Sequence, residues 1–277
     1  MLSIVDLKKE LGHNIYIYPI HVNSIKSNSI DLHVSKFAWS VSTKKCISDE
    51  KKEYVNIASN DTALIYTEES IYVSNCIGGS YHSKVTLVSR GAGHIGTTLD
   101  AQYVGCSLIA IHNHGQEDLK LKIGSEFVTL QFWYLHTPDY ENAVSHDNEP
   151  GHTKLLGGYE GIDSYIEFRN ENIWATKKAA LYHKMIESDE FKKCKDEFEK
   201  EIDEFSKSKL KVRKKRYTTV IVIAVLIVIG VSIPAYLLPF EQVNTIAKGV
   251  SERFIFPILV ATITAFVFSD IKDHKKK

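Results

Sequence analysis

The sequence predicts a mainly β domain, an antiparallel barrel or jelly roll, followed by a long α-helix and a hairpin of two membrane-crossing helices. Three observations carry this prediction. Over residues 1–172, short runs rich in Val, Ile, Thr and Tyr (15–18, 63–66, 85–88, 107–111 and 127–135) alternate with clusters of Gly, Asn, Asp and Ser. From about residue 175 the texture turns to Lys, Glu and Asp, with apolar residues at a seven-residue period. Two uncharged runs, 218–238 and 254–269, come last.

Within the first segment, Pro is nearly absent and no β-α-β alternation occurs, which favours antiparallel pairing over a doubly wound sheet. One early helix is expected at about 5–11. Gly91, Gly93 and Gly96 spell G-x-G-x-x-G, but strand-forming Thr97, Thr98 and Leu99 follow where a dinucleotide site needs a helix. His112 and His114 share one strand face, yet no third ligand stands out, so they read as strand-end histidines and no metal ligand is expected.

Segment 175–216 reads as an amphipathic helical linker. Phe191, Phe198, Phe205 and Val212 recur every seven residues, with Cys194 and Ile202 beside them. A narrow seam of this period favours a coiled coil between copies, and the competing arrangement is one helix packed on its own β domain. Segment 217–277 then holds the two expected spans. The first, 21 residues long, reaches roughly 31 Å, and the second, 16 residues long, about 24 Å. Lys211, Arg213, Lys214, Lys215 and Arg216 precede the first, and Lys272, Lys275, Lys276 and Lys277 follow the second. The positive-inside rule therefore places the chain in the cell inner membrane, with both termini cytoplasmic and lipid as a partner. Pro234 and Pro257 with Ser232, Thr262 and Thr264 suggest a membrane-perturbing bundle rather than a plain anchor.

A formal net charge of zero argues against a nucleic-acid-binding protein. Cys46, Cys76, Cys106 and Cys194 show no C-x-x-C spacing, as expected of a reduced cytosolic setting. The charged N-terminus does not resemble a signal peptide.

Four segments then occur in a definite order. Residues 2–41 include Ser29, Ile30, Asp31, Leu32, His33 and Val34; residues 97–115 include Asp100, Tyr103, Gly105 and Asn113. Residues 122–132 include Gly124, Phe127, Leu130 and Phe132, and residues 153–164 are glycine-rich. Together they resemble the dCTP deaminase and dUTPase superfamily, closest to the dCTP deaminases. The resemblance implies a distorted β-barrel over residues 1–172 that binds a nucleotide, as a homotrimer with pockets between subunits, and with Mg²⁺ when a triphosphate is bound. By position it assigns nucleotide binding to Ser83, Lys84, Arg90, Asp100, Tyr103, Asn113 and Lys154.

The same alignment departs from the family where its chemistry is done. The family's proton-shuttling Glu is replaced by Ala110, which cannot carry a proton. The phosphate-binding element falls on residues 81–87, where Ser83 is retained and Lys84 is cationic but both family arginines are absent; Arg90 lies nearby. The resulting expectation is a non-catalytic nucleotide sensor that gates a transmembrane bundle, the architecture expected, by analogy, of a bacterial antiviral effector. The alternative is an active membrane-held dCTP deaminase or dUTP pyrophosphatase, the latter using Asp100 to activate water.

Overall fold

The computed structural model describes residues 1–49, 51, 53–94, 96–139, 153–204, 207 and 219. Chain contacts divide it into two units, 1–201 and 202–277. The elements below all belong to the first.

A single helix opens the chain. Helix α1 (Ile4–Glu10) is fixed by a capping box in which the Ser3 hydroxyl accepts from Asp6 N–H and the Asp6 carboxylate accepts from Ser3 N–H. Ten strands follow: β1 (Ile15–Tyr18), β2 (Ser29–Ser40), β3 (Tyr54–Ile57), β4 (Thr62–Val73), β5 (Ile77–Ser83), β6 (Ala92–His94), β7 (Thr98–Leu99), β8 (Val104–Asn113), β9 (Leu119–Lys122) and β10 (Glu126–Tyr134). The main sheet runs β6-β8-β4-β2-β10-β5-β7, β1 joins β4, and β3 pairs with β9. Every named pair is antiparallel, as the absence of crossover helices predicts.

The sheet curls until its ends meet. On β6, His94 N–H donates to Ser83 Oγ at the end of β5 (3.1 Å), and His94 Nε2 lies 2.8 Å from the Tyr81 carbonyl. The Tyr81 hydroxyl bonds Ser107 on β8. Side chains therefore close this barrel along one seam, where among the described residues no backbone ladder joins β6 to β5.

Alternation explains both faces of the central strands. On β2, Ile30, Leu32, Val34 and Ala38 enter the main core with Ile65, Ile109, Ile111, Phe127 and Phe132. On the opposite face, Phe37 and Trp39 of β2 join Tyr66 of β4 and Cys106 of β8 in a second, aromatic cluster. Helix α3 (Ile162–Glu171) covers that cluster, with Tyr165 stacked on Tyr66 at 3.8 Å between centroids.

Two sequence expectations change here. Residues 85–88 form not a strand but a one-turn helix, α2 (Val85–Val88), because Val88 and Ser89 N–H bond back to Lys84 and Val85 carbonyls. Val85 and Val88 stand exposed, so no neighbouring strand holds them extended. The membrane location with two spans is also corrected: among the described residues no helix is long and apolar enough to cross a membrane. Apart from Thr219, the runs 218–238 and 254–269 lie outside the described residues.

After helix α4 (Lys178–Glu187), the helical stretch 189–201 carries the first two positions of the seven-residue seam, Phe191 and Phe198. Phe191, Cys194 and Phe198 are buried, and Phe191 and Cys194 belong to the main β-domain core. Phe191 sits so close to Gly12 that a Cβ there would meet its ring at 3.0 Å, and Gly12 also has φ +85°. Lys8 of α1 bonds Glu201 at 2.8 Å. Phe191, Cys194 and Phe198 are thus buried within the chain, whereas Ile202 beside them is exposed; Phe205 and Val212 lie outside the described residues.

Candidate functional site

The expected nucleotide contacts group around the β5–α2–β6 connection and the turn into β8. Ser83 ends β5, and its hydroxyl is held between His94 N–H (3.1 Å) and His94 Nδ1 (2.8 Å). Burial holds the His94 imidazole below its ordinary pKa, partly offset by its bond to the Tyr81 carbonyl. A neutral His94 is therefore a hydrogen-bonding partner near neutral pH rather than a cation.

Lys84, the next residue, is committed to carboxylates of the protein itself. Its ammonium donates to Asp31 Oδ2 at 2.6 Å and to Glu126 Oε2 at 2.7 Å. Asp31 also accepts from Thr129 Oγ1 at 2.5 Å, and Glu126 accepts from Ser24 Oγ and Lys26. Burial works against the Lys84 charge, but the bonds to Asp31 and Glu126 outweigh it and raise the pKa. Burial likewise opposes the Glu126 charge, yet Lys84, Ser24 and Lys26 bring that carboxyl down to about 2.

Arg90 follows α2 in an exposed turn, and Gly91 takes φ +77° beside it. Asn113, at the end of β8, pairs with Ala92 of β6 and so lies beside that turn. Its Nδ2 donates to the carbonyls of Ile57, Ala58 and Glu117, and its Oδ1 accepts from Gly115 N–H. This buried amide ties three backbone stretches together.

Asp100 is exposed at the end of β7, accepting a 3.3 Å bond from Thr98 Oγ1. Tyr103 packs against the main core and donates its hydroxyl to the Cys106 carbonyl at 2.8 Å. Burial raises its pKa well above the ordinary value. Lys154 occupies a 3-10 turn, Thr153–Leu156, whose Leu156 joins the aromatic cluster on the outer face. Ala110 pairs with Leu64 on β4 and shares that face by alternation with Leu108. The structure thus brings Ser83, Lys84, Arg90 and Asn113 into neighbouring turns, with Asp100 and Tyr103 on the following one.

Mg²⁺ favours one or two carboxylates plus substrate phosphates. Asp100 fits that role only together with a bound phosphate chain, because Asp31 and Glu126 already neutralise Lys84.

Sequence reasoning gave no site role to the polar groups bonded to these residues, Asp31, Glu126 and His94, nor to His33 and Glu69 beyond them. The available signal was Asp31 and His33 alternating with Ile30, Leu32 and Val34, since a strand buried on both faces carries polar side chains only where they find partners.

No family model matches the chain. The chain is similar to the dCTP deaminase of Pyrococcus horikoshii, with 27% identity over 147 residues, covering 53% of this chain and 92% of that protein. Among solved structures, the 2'-deoxycytidine 5'-triphosphate deaminase from Agrobacterium tumefaciens aligns at 13% identity and a TM-score of 0.39. That alignment covers 47% of this chain and 45% of the other, less than half of its length. The dUTPase of EIAV aligns at 22% identity and a TM-score of 0.35, covering 46% of this chain and 98% of that one.

Proposed function

We propose that the β domain binds a deoxynucleoside triphosphate at the β5–α2 connection and the β7–β8 turn, without deaminating it. The observation that carries this reading is the 147-residue likeness to dCTP deaminase, which spans 92% of that protein. Ala110 supports the non-deaminating half, since no carboxylate stands at the resemblance's proton-shuttle position.

On this reading Asp100 and Tyr103 flank the sugar, and Asn113 supports the pocket through its backbone bonds. Ser83 and Arg90 take the phosphates, with Lys154 closing from the glycine-rich segment. Lys84 contributes only if phosphate displaces Asp31 or Glu126, so ligand binding and the Lys84 network compete for one cation. That competition gives the domain a means of registering occupancy, and three subunits would build the pockets between them.

The test is incubation of the full-length protein with Mg²⁺ and dCTP, dUTP, the other deoxynucleoside triphosphates and cyclic dinucleotides, followed by chromatography of bound and free fractions. Retention of one unconverted nucleotide, lost on Arg90→Ala, is the expected result; conversion of dCTP to dUTP overturns the non-deaminating reading.

A second reading rests on Asp100, whose exposed carboxylate, held at one oxygen by a 3.3 Å bond from Thr98 Oγ1, would hold Mg²⁺ and orient water at a triphosphate. It requires pyrophosphate release from dUTP that disappears in Asp100→Asn.

A further inference from the structure

A separate constellation lies where the 18–26 segment crosses β2 and β4. His21 precedes the 3-10 turn Val22–Ser24, and its ring lies 4.1 Å, centroid to centroid, from that of His33 on β2. One nitrogen or oxygen from each of His21, His33 and Glu68 lies within 4.8 Å of the others. His21 Nε2 is 3.8 Å from a Glu68 oxygen and 4.0 Å from a Glu69 oxygen, beyond hydrogen-bond range of either. That nitrogen is buried and makes no hydrogen bond. Folded proteins seldom leave such an atom without a partner.

Consecutive strand residues normally point to opposite faces. Here Tyr66 pairs with Leu108 and Ser70 with Cys106, so residues 67–69 of β4 face the single residue Ser107 of β8. The Thr67 hydroxyl holds this bulge, donating to the Glu69 carbonyl at 2.7 Å and accepting from Ser107 N–H at 2.9 Å. The bulge turns both Glu68 and Glu69 towards His21.

Glu69 then acts on His33. One of its oxygens bonds His33 Nδ1 and the other accepts from His33 N–H at 3.0 Å. A carboxylate that orients an imidazole from behind is the usual companion of a metal-ligating histidine. His33 Nε2 has the Ser24 hydroxyl 3.2 Å away, and that hydroxyl has Glu126 as its other partner at 3.0 Å. A plain His33–Glu69 ion pair accounts for two of these groups, but it leaves the unpartnered His21 nitrogen and the re-aimed Glu68 without a purpose.

We propose that His21, His33 and Glu68 bind a first-row divalent transition-metal ion of the zinc class, with Glu69 as the positioning residue. Two imidazoles and a carboxylate suit zinc, whereas Mg²⁺ and Ca²⁺ favour all-oxygen sites. A cleft of about 580 Å³, lined by His21, Ser24, His33, Glu126 and Lys193, opens beside them and leaves room for water or an anion at a fourth position. The ion would fasten the 18–26 segment to β2 and β4. This site is independent of the nucleotide reading.

The experiment uses the full-length protein, freed of metal with a chelator, without nucleotide. Zn²⁺ is titrated by calorimetry, and Co²⁺ by its visible absorption. His21→Ala and Glu68→Gln are the informative variants, because both side chains are about 40% exposed (40% and 41%) and their loss leaves the barrel core intact. The expected result is one equivalent of Zn²⁺, a tetrahedral Co²⁺ spectrum, no displacement by excess Mg²⁺, and affinity weakened on the order of 100-fold in each variant. The proposal is overturned if the wild-type protein binds no stoichiometric Zn²⁺, or if both variants bind it as tightly. It is equally overturned if binding is lost instead in His112→Ala or His114→Ala.

Discussion

Replacing Lys84 with Met separates a phosphate-binding lysine from a structural one. Lys84 is 16% exposed at its side chain and lies 2.6 Å from Asp31, itself 5% exposed. Without the ammonium, the buried Asp31 carboxylate keeps only Thr129 and, at 3.7 Å, Lys26. Breaking a buried ion pair on one side costs about 3–5 kcal/mol. The surviving partners bring the Asp31 share down to roughly 2–3 kcal/mol, below that range. Glu126 is 30% exposed and retains Ser24 and Lys26, so it adds less than about 1 kcal/mol. The sum, about 3 kcal/mol, corresponds in a unit of this size to a fall in Tm of roughly 6–12 °C. Thermal and urea unfolding of wild type, Lys84→Met, Asp31→Asn, Glu126→Gln and the two double variants with Lys84→Met give both couplings directly, and the coupling should be larger for Asp31 than for Glu126. A Lys84→Met protein within about 0.5 kcal/mol of wild type would refute the reasoning and return Lys84 to the pool of weakly held surface cations.

Three further outcomes are expected. Asn113→Ala frees the carbonyls of Ile57, Ala58 and Glu117 together, and urea denaturation should register a loss of about 2–4 kcal/mol. Phe191→Ala opens a cavity against Gly12 and Met185, costing about 3–4 kcal/mol in thermal unfolding; unchanged stability would show that 189–201 does not pack on the β domain. Glu126 has its folded pKa depressed from 4.5 to about 2, so it stabilises the fold above pH 4.5 and loses that contribution as pH falls towards 2. Glu126→Gln should therefore flatten the acid limb of the stability profile between those values, leaving the Asp61 part, whose pKa is also lowered by Ser40, Ser42 and Thr62 against its burial.

The β domain was legible because its strands write their burial into the sequence: β1, Ile-Tyr-Ile-Tyr, one of the runs named from composition, alternates buried and half-buried at every step. Helix α2 was not legible, since Val85, Thr86, Leu87 and Val88 are strand formers by composition and only the local bonds to Lys84 and Val85 curl them. The seven-residue seam at Phe191 and Phe198 was visible as a period, but a period does not say whether the partner is another copy or the chain's own core. At the candidate nucleotide site, residue types were readable and pairings were not. Lys84 finds Asp31 and Glu126 from 53 and 42 positions away. The histidine cluster was hidden for the same reason, with a further obstacle: its two glutamates face one way only because β4 bulges.

Closing the barrel through side chains has a kinetic counterpart. Along the seam, His94, Ser83, Tyr81 and Ser107 do the work that a continuous row of amide bonds does elsewhere in the sheet. Strands β6 and β7 beside it are three and two residues long. Short strands with few ladder bonds open at a small fraction of the global unfolding free energy. Amide protons of 92–94 and 98–99 should therefore exchange with solvent far faster than those of β2 or β4, so that the barrel loosens first along this seam while its central strands stay shut.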